Sequence, residues 1–516
     1  MVVTALLAGL GPVQAATLRM ANQGDPLSLD PHSLNETLQL TILSNVYEGL
    51  VGYGKDLKIV PLLATDWKQT APTVWRFNLR KGVRFHDGSS FTADDVIFSY
   101  ERARADGSDM KAYVGSVKEV RKVDDYAVDF VTDTPNPILP NMFGRWLIMS
   151  KKWCVENKAE RPVDKRKGIE NVASFKANGT GPFRVKSRDP GNRTVLVRNT
   201  GYWDKLETNI DEVIFTPIAN PSTRVAALIS GEIDMMEPVP VQDVARINAT
   251  GSATVLQGPE LRTIFLGMDQ KRDELLFSNV KGKNPFKDRR VRQAFFQAID
   301  IDAIKNQVMR GAATPAGLME APGVSGFPAD LNKRLPYDPE GAKKLLADAG
   351  YPNGFEVGMN CPNDRYVNDA AICTAVSAML ARIGVKVNLM AESKATYFPK
   401  ILSRNTSFYL LGWTPSTVDS HDPLYSLMAT PGAGGQGQFN LGSYSNPRLD
   451  ELTGKIQSET DQAKRNAMIH EAMKIHQDDV GHIPLHQQAL AWGVKKNLSL
   501  VQLPSNDIFV KWMVLK

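Results

Sequence analysis

Helices that end at a glycine and lead into a strand recur in the second half of the chain, and this pattern constrains the fold most. Asp338 and Pro339 supply an N-cap and a first-turn proline, and the helix that they begin stops at Gly350. The next helical pattern ends at Gly384 and is followed by alternating apolar and polar residues over 385–389. Helix, glycine and strand in this order indicate mixed α/β lobes rather than an all-β barrel or a helical bundle.

The first half of the chain carries equally clear local signals. Residues 75–80 alternate between apolar and polar side chains, which predicts a strand with one buried face. Thr92 followed by Asp95 three residues later predicts a capping box at the start of a helix. Asp288 is the predicted N-cap of a further helix, whose apolar residues recur at the spacing of one helix face.

Length and charge bound the organisation of the chain and its partners. A chain of 516 residues is too long for one hydrophobic core, since single cores stop growing near roughly 250 to 300 residues. We therefore expect at least two lobes, joined by short crossovers because no long linker separates them. The 61 basic and 56 acidic residues are scattered without a polybasic block, so nucleic acid is not an expected partner.

The first 15 residues resemble an export signal. Residues 2–10 are apolar but too short to span a bilayer, and Val13-Gln14-Ala15 places small residues where an export peptidase reads them. This predicts a secretory signal over residues 1–15 whose basic n-region is missing; a buried N-terminal strand is the alternative. No cysteine follows the cleavage point, so we expect a soluble exported protein without a lipid anchor.

The three cysteines divide into a pair and a single residue. Cys361 and Cys373 lie close together in a cysteine-poor chain, which in an oxidising compartment predicts one disulfide worth about 3 kcal/mol. Cys154 is then left over. A metal or redox site fits less well, because the chain has no C-x-x-C and no histidine beside either member of the pair.

A long block identifies a family resemblance. Residues 62–103, LLATDWKQTAPTVWRFNLRKGVRFHDGSSFTADDVIFSYERA, closely resemble the diagnostic block of the family 5 extracellular solute-binding proteins of ABC importers, the oligopeptide, dipeptide and nickel binders. Further blocks follow in the order of that family: SLDPH at 28–32, YEGLVGY at 47–53, NGTGPFRV at 178–185, TRVAALISGEIDMM at 223–236, PFKDRRVRQAFFQAID at 285–300, YDPEGAKKLLADAGYPNG at 337–354 and SNPRLDEL at 445–452.

The resemblance implies an α/β, two-lobed periplasmic-binding-protein-like fold of the large type II form, with the ligand cleft between the lobes. Lobe I would comprise residues 16–265 plus 489–516 and carry an extra subdomain at about 52–175, and lobe II would comprise residues 266–488. These ranges are called lobe I and lobe II throughout.

The resemblance also implies a non-enzymatic, cofactor-free monomer in the periplasm. It would capture short peptides or peptide-like solutes and deliver them to membrane permease subunits of an ABC transporter. A non-peptide ligand, such as an opine, a sugar or a metal chelate, is the alternative within the same mechanism. A secreted peptidase is the alternative from another class, although neither a G-x-S-x-G motif nor a suggestive Cys/His pattern is present.

The family's cleft-lining segment after a Gly-Trp pair includes two candidate ligand-binding residues here. Trp413 offers a flat apolar face to a ligand, or else it is a core tryptophan. Peptide-binding relatives place an aspartate three residues later to hold the ammonium group of the peptide, whereas this chain has Ser416. Asp419 is the candidate replacement, because a buried ammonium needs a carboxylate partner; the alternative is a turn residue.

Four more candidates follow from the resemblance and from residue type. Asn35 and Thr37 fall where relatives contact peptide and suit hydrogen bonds to a peptide backbone; a capped loop is the alternative. Arg365 suits a carboxylate and Tyr366 can stack on a side chain, against the alternative of a solvated loop. No metal site is expected, since the spacing of the histidines between 470 and 486 fits structural or solvated roles better.

Overall fold

The computed structural model describes residues 16–516, so the predicted signal segment lies outside the described residues. Within 16–516, eleven strands form the central sheet. Its strands in spatial order are Lys386–Glu392, Glu356–Pro362, Phe408–Trp413, Ala253–Met268, Ile483–Lys495, Met235–Glu237, Ala16–Asn22, Ile210–Pro217, Arg193–Arg198 and Phe183–Asp189, with Ala313–Pro315 paired to Ile483–Lys495.

Two long antiparallel strands join the two halves of this sheet. Ala253–Met268 and Ile483–Lys495 pair along most of their length, with register breaks between Pro259 and Thr263 and again next to Phe265. The predicted lobe boundaries at 265/266 and 488/489 fall inside these strands. The boundaries stay predictions, but separate hydrophobic cores lie on either side, one around Leu18 and Trp492 and another around Phe295 and Phe408.

A second sheet lies within the predicted subdomain at about 52–175. Its four antiparallel strands are, in spatial order, Ala64–Ala71, Val74–Leu79, Ala127–Thr132 and Val117–Asp124. Aromatic side chains fill its core: Phe130 lies 4.7 Å from Phe143 and 6.1 Å from Trp146, measured between ring centroids. Two-stranded pairs complete the described sheets: Val51–Tyr53 with Ile59–Pro61, and Leu498–Ser499 with Val514–Leu515.

The α-helices pack around these sheets. The helix Asp369–Ala381, for example, contacts the neighbouring strands Glu356–Pro362 and Lys386–Glu392. The described α-helices are Thr37–Leu43, Ala93–Arg104, Lys111–Val114, Leu139–Met142, Lys151–Glu156, Pro221–Ser230, Val244–Ala249, Arg289–Gln297, Ile301–Ala303, Pro339–Asp348, Asp369–Ala381, Lys394–Leu402, His421–Pro423, Pro447–Ser458 and Gln462–Asp478.

The predicted helix starts are confirmed. Thr92 and Asp95 form the capping box of the helix Ala93–Arg104. The carboxylate of Asp288 accepts a hydrogen bond from the backbone N–H of Arg290, and that of Asp338 accepts one from Gly341, both at 2.8 Å. These bonds satisfy first-turn N–H groups that have no partner inside the helix.

The predicted disulfide is confirmed, and it links Cys361 at the end of a strand to Cys373 in the helix Asp369–Ala381. Cys154 is a buried free cysteine, and burial raises the pKa of its thiol to about 12, so the residue is a neutral thiol at physiological pH. Among residues 16–516, no helix combines the length and the apolar character needed to cross a bilayer.

Candidate ligand-binding site

A cavity that is partly open to solvent lies between residues of lobe I and lobe II, and the empty space in and in front of it amounts to about 550 Å³. Its apolar lining comes from Leu34, Phe398, Leu402, Leu411, Phe439 and Leu441. The charged lining consists of three guanidinium groups, from Arg145, Arg262 and Arg365, and one carboxylate, from Glu36. The cavity therefore combines apolar walls with a small number of converging polar groups, as small-molecule sites commonly do.

Two short backbone segments place seven of the lining residues. Residues 34–37 lead into the helix Thr37–Leu43, whose N-cap is Glu36. On the opposite wall, the strand Phe408–Trp413 carries Leu411, Gly412 and Trp413 to the cavity. A Cβ atom at Gly412 would lie 2.8 Å from the side chains of both Ile264 and Tyr366, so glycine permits the close packing of this wall.

Glu36 joins the two lobes. Its carboxylate accepts hydrogen bonds from the backbone N–H groups of Leu38 and Gln39. It also lies 2.6 Å from Nε of Arg365 and 3.3 Å from Nζ of Lys394, both of which belong to lobe II. Burial alone would raise the pKa of Glu36, but the two cations and the two N–H groups lower it to about 2. Glu36 is therefore an anion with a donor on every side.

Arg262 and Arg145 are each held by a carboxylate from behind the cavity. Nε of Arg262 donates to Glu260 at 2.9 Å, and its Nη2 donates to Oγ1 of Thr37 at 3.1 Å. Nη2 of Arg145 donates to Asp507 at 2.6 Å. These contacts fix the orientation of both guanidinium groups at the cavity wall.

Arg365 presents the least engaged guanidinium group. It stacks over the ring of Tyr366 at 4.8 Å, and its Nε lies 2.6 Å from the carboxylate of Glu36. Its two terminal nitrogens donate no hydrogen bond to any residue between 16 and 516. A planar pair of free N–H groups in this position matches the two oxygens of a carboxylate.

Five of the six predicted ligand-binding residues line the cavity: Trp413, Asn35, Thr37, Arg365 and Tyr366. Their ligand contacts stay predictions. Nε1 of Trp413 donates to Asp422 at 2.8 Å, and the ring packs 5.0 Å from that of Phe439, so this residue is both a packed side chain and a wall of the cavity.

Asp419, the sixth, lies outside the cavity lining. Its two carboxylate oxygens accept hydrogen bonds from Nη1 and Nη2 of Arg465 at 2.9 and 2.7 Å, and one of them also accepts the backbone N–H of His421. Both side chains of this ion pair are less than a tenth exposed. The structure thus gives Asp419 a cationic partner within the chain, and a role towards a ligand ammonium would require breaking that pair.

We expect Asp419→Asn to lower the free energy of unfolding by about 2 kcal/mol, because it leaves the buried Arg465 guanidinium without its counter-charge. Ligand affinity of the folded protein should stay within a factor of about two, since the residue is outside the cavity. Urea unfolding and calorimetry on the same preparation check both statements. A large loss of affinity with unchanged stability would instead restore Asp419 as a ligand-binding residue.

Ser416 occupies the position where peptide-binding relatives carry an aspartate, and it contacts lobe I directly. Oη of Tyr113 donates to Oγ of Ser416 at 2.9 Å, and Oη of Tyr53 donates to its backbone carbonyl at 2.7 Å. Its own N–H donates to Asp422 at 2.8 Å. Two tyrosines of lobe I therefore hold the segment after Trp413 against the cavity.

Several of these residues have no local sequence signal. Glu36 could have been recognised as an N-cap, but Arg145, Arg262 and Asp422 follow from no motif of the sequence. Asp422 accepts from Trp413, Ser416 and Thr417, while burial raises its pKa to about 6. A short polar loop after Trp413 is the only feature that points to it.

The histidines take structural positions. His476 and His482 are buried and lie 2.9 Å apart between ring nitrogens, His486 lies in the strand Ile483–Lys495, and His470 pairs with Asp330 at the surface. Pro484 lies between His482 and His486, and the segment is a strand rather than a continuous helix. No group of three His, Cys, Asp or Glu side chains suited to a metal ion occurs in the described part, 16–516.

Comparison with known proteins agrees with the fold. The family model described as bacterial extracellular solute-binding proteins, family 5 Middle, matches residues 58–435. The chain belongs to the family 5 extracellular solute-binding proteins. This family 5 chain therefore has the two-lobed α/β fold and the role of a substrate-binding component of an ABC importer.

Individual relatives and solved structures show the same fold along nearly the whole chain. The glutathione-binding protein GsiB of Pectobacterium atrosepticum is 27% identical over 495 residues, which cover 93% of this chain and 90% of the relative. The DppA periplasmic binding protein of Helicobacter pylori, solved with the peptide STSA, has a TM-score of 0.86 at 24% identity and covers 97% and 98% of the two chains. AgaA of A. tumefaciens R10, solved with agropinic acid, has the same TM-score and identity, covering 97% and 99%.

Proposed function

We propose that this family 5 protein captures a short peptide-like solute that carries a carboxylate, and that it delivers the solute to membrane permease subunits. The carboxylate would bind the free terminal nitrogens of Arg365, while Arg262 and Arg145, each paired with a carboxylate behind the cavity, line the same cavity. The guanidinium-rich lining is the observation that carries this proposal. Similar proteins bind glutathione, a peptide and an opine acid, which is the range of ligands that such a cavity suits.

The contacts across the cavity suggest how ligand capture is communicated. Glu36 of lobe I meets Arg365 and Lys394 of lobe II, and Tyr53 and Tyr113 of lobe I meet Ser416. A ligand that touches both walls stabilises this arrangement over one in which the lobes are apart, by the difference in its affinity for the two states. The permease would then recognise the closed form.

Compartment, assembly and class are part of the same proposal. The disulfide Cys361–Cys373 supports an oxidising compartment, the periplasm. A monomer suffices for binding, because one chain supplies both walls of the cavity. We propose binding without hydrolysis, in keeping with a family of solute-binding proteins.

An opine acid is the second candidate ligand, because its carboxylate would use the same guanidinium groups.

Native mass spectrometry of protein purified without denaturation from a peptide-rich culture tests the proposal, followed by acid release and mass analysis. We expect bound species that all carry at least one carboxylate, either a ladder of short peptides or one opine-like mass. Recovery of only uncharged solutes or metal chelates would contradict the assignment. Release of new amines from incubated peptides would show hydrolysis instead of capture.

A further inference from the structure

The cavity offers no free carboxylate to an ammonium group. Glu36 is the one carboxylate in the lining, and each of its oxygens already faces a backbone N–H and a cation: Leu38 and Arg365 at Oε1, and Gln39 and Lys394 at Oε2. A ligand ammonium could approach Glu36 only by displacing Arg365 or Lys394. Both cations are largely buried here, and their own desolvation is offset by this same carboxylate.

A second acidic group, on the segment after Trp413, is engaged by neutral donors. The carboxylate of Asp422 accepts one hydrogen bond from Trp413 and two from the backbone N–H groups of Ser416 and Thr417, and it is not part of the lining. Ser416, which does line the cavity, offers only a hydroxyl, and Tyr113 donates to it. The segment after Trp413 therefore presents a neutral surface.

What remains free in the lining is suited to carboxylates and neutral amides. Oγ1 of Thr414 is buried and has no hydrogen-bond partner among residues 16–516, and the side-chain oxygen of Asn35 accepts none there. These neutral groups can satisfy an amide N–H. They would not offset the desolvation of an ammonium next to three guanidinium groups, since a buried charge requires a counter-charge.

We propose that the ligand enters the cavity without a free ammonium group: it is a carboxylate-bearing solute whose amino end is acylated, cyclised or otherwise neutral. Ser416 determines this specificity, because it leaves the segment after Trp413 uncharged. The proposal rests on the proposed function and narrows the class of solute that the same cavity accepts. It separates an N-blocked peptide or lactam-like acid from an ordinary free peptide.

A mixed library distinguishes the two classes. A dipeptide library is divided into two equal portions, and the amino groups of one portion are acetylated. The portions are mixed again and incubated with the full protein, and native mass spectrometry identifies the captured species. We expect acetylated species to exceed free-amine species by at least about tenfold, a lower bound for the effect of leaving one buried charge unpaired. Equal or preferential capture of free-amine dipeptides would overturn this inference while supporting the capture of peptides. Capture of neither class would contradict the peptide-like ligand itself.

Substitution at Ser416 gives an independent readout. Ser416→Asp places a carboxylate beside the hydroxyl of Tyr113, and we expect it to shift capture towards free-amine dipeptides by about tenfold. Ser416→Ala is the matched control, which removes the hydroxyl, adds no charge and should keep the preference for acetylated species. If Ser416 had a purely structural role, Ser416→Asp would lower the capture of acetylated and free-amine dipeptides together, without changing which class is preferred. That result would overturn Ser416 as the residue that determines specificity. Thermal unfolding checks that both variants are folded. The library experiment on the unmodified protein tests the proposal even if a variant does not fold.

Discussion

Arg365→Gln is expected to weaken ligand binding by roughly 100-fold, because it removes the guanidinium whose two terminal nitrogens are free to bind a carboxylate. The loss combines charge-assisted hydrogen bonds with the positive potential at this wall. The dissociation constant of Arg365→Lys should lie between those of the unmodified protein and of Arg365→Gln, since an ammonium keeps the charge but not the planar pair of donors. Calorimetry with the ligand released from the purified protein measures the three dissociation constants.

A remaining ion pair and one control variant separate the loss of ligand recognition from a loss of folding in this experiment. Glu36 keeps Lys394 as a counter-charge in the Arg365 variants, so the wall of lobe I should remain in place. Arg448→Gln is the matched surface control, because Arg448 is about half exposed and pairs with Glu451 and Glu471 away from the cavity. An unchanged dissociation constant for Arg365→Gln would show that the carboxylate binds elsewhere.

Asp30→Ala is expected to lower the free energy of unfolding by about 3 to 5 kcal/mol, the usual effect of removing one partner from a buried ion pair. Asp30, in the SLDPH block, accepts hydrogen bonds from Arg102 at 2.7 and 2.6 Å, and neither side chain is exposed. Its oxygens also accept the backbone N–H groups of His32 and Val163. The substitution leaves a buried guanidinium and two N–H groups unpaired.

Urea unfolding checks the magnitude, with Glu451→Ala as the control at an exposed pair, where we expect a change of about 0 to 1 kcal/mol. Burial acts to raise the pKa of Asp30, but Arg102 outweighs it and the pKa is lowered. The stability that this carboxylate contributes is therefore fully present above the pKa that Asp30 has in the unfolded chain. It is lost as the pH falls from that value through the lower pKa of the folded protein. A stability loss equal to that of the control would contradict the role of the pair.

Local signals predicted the local structure well, for a physical reason. Thr92, Asp288 and Asp338 cap helices through hydrogen bonds to residues two or three positions away, so the pattern and the interaction occupy the same few residues. The pairing of Cys361 with Cys373 is local in the same sense. The family resemblance extended this to the fold and to Trp413, Asn35 and Thr37 in the cavity lining, and residue type added Arg365 and Tyr366.

Charges paired across the chain were not predictable in this way. Asp419 had the residue type to bind an ammonium group and lies three positions after the one where relatives carry their aspartate, but the helix Gln462–Asp478 brings Arg465 onto it from 46 positions away. Arg145 meets Asp507 across 362 positions, and Glu36 meets Lys394 across 358. No periodicity or spacing records such a contact.

The sequence by itself determined the mixed α/β class, the helix starts, the disulfide and the family with its two-lobed fold. Only the tertiary structure decided which charges are free to bind a ligand. It showed Arg365 with unengaged donors, Glu36 with none of its oxygens free, and Asp419 already paired. The reason is that a charged group can bind a ligand only through donors or acceptors that the protein leaves unused, and which of them are used is set by packing between distant segments of the chain.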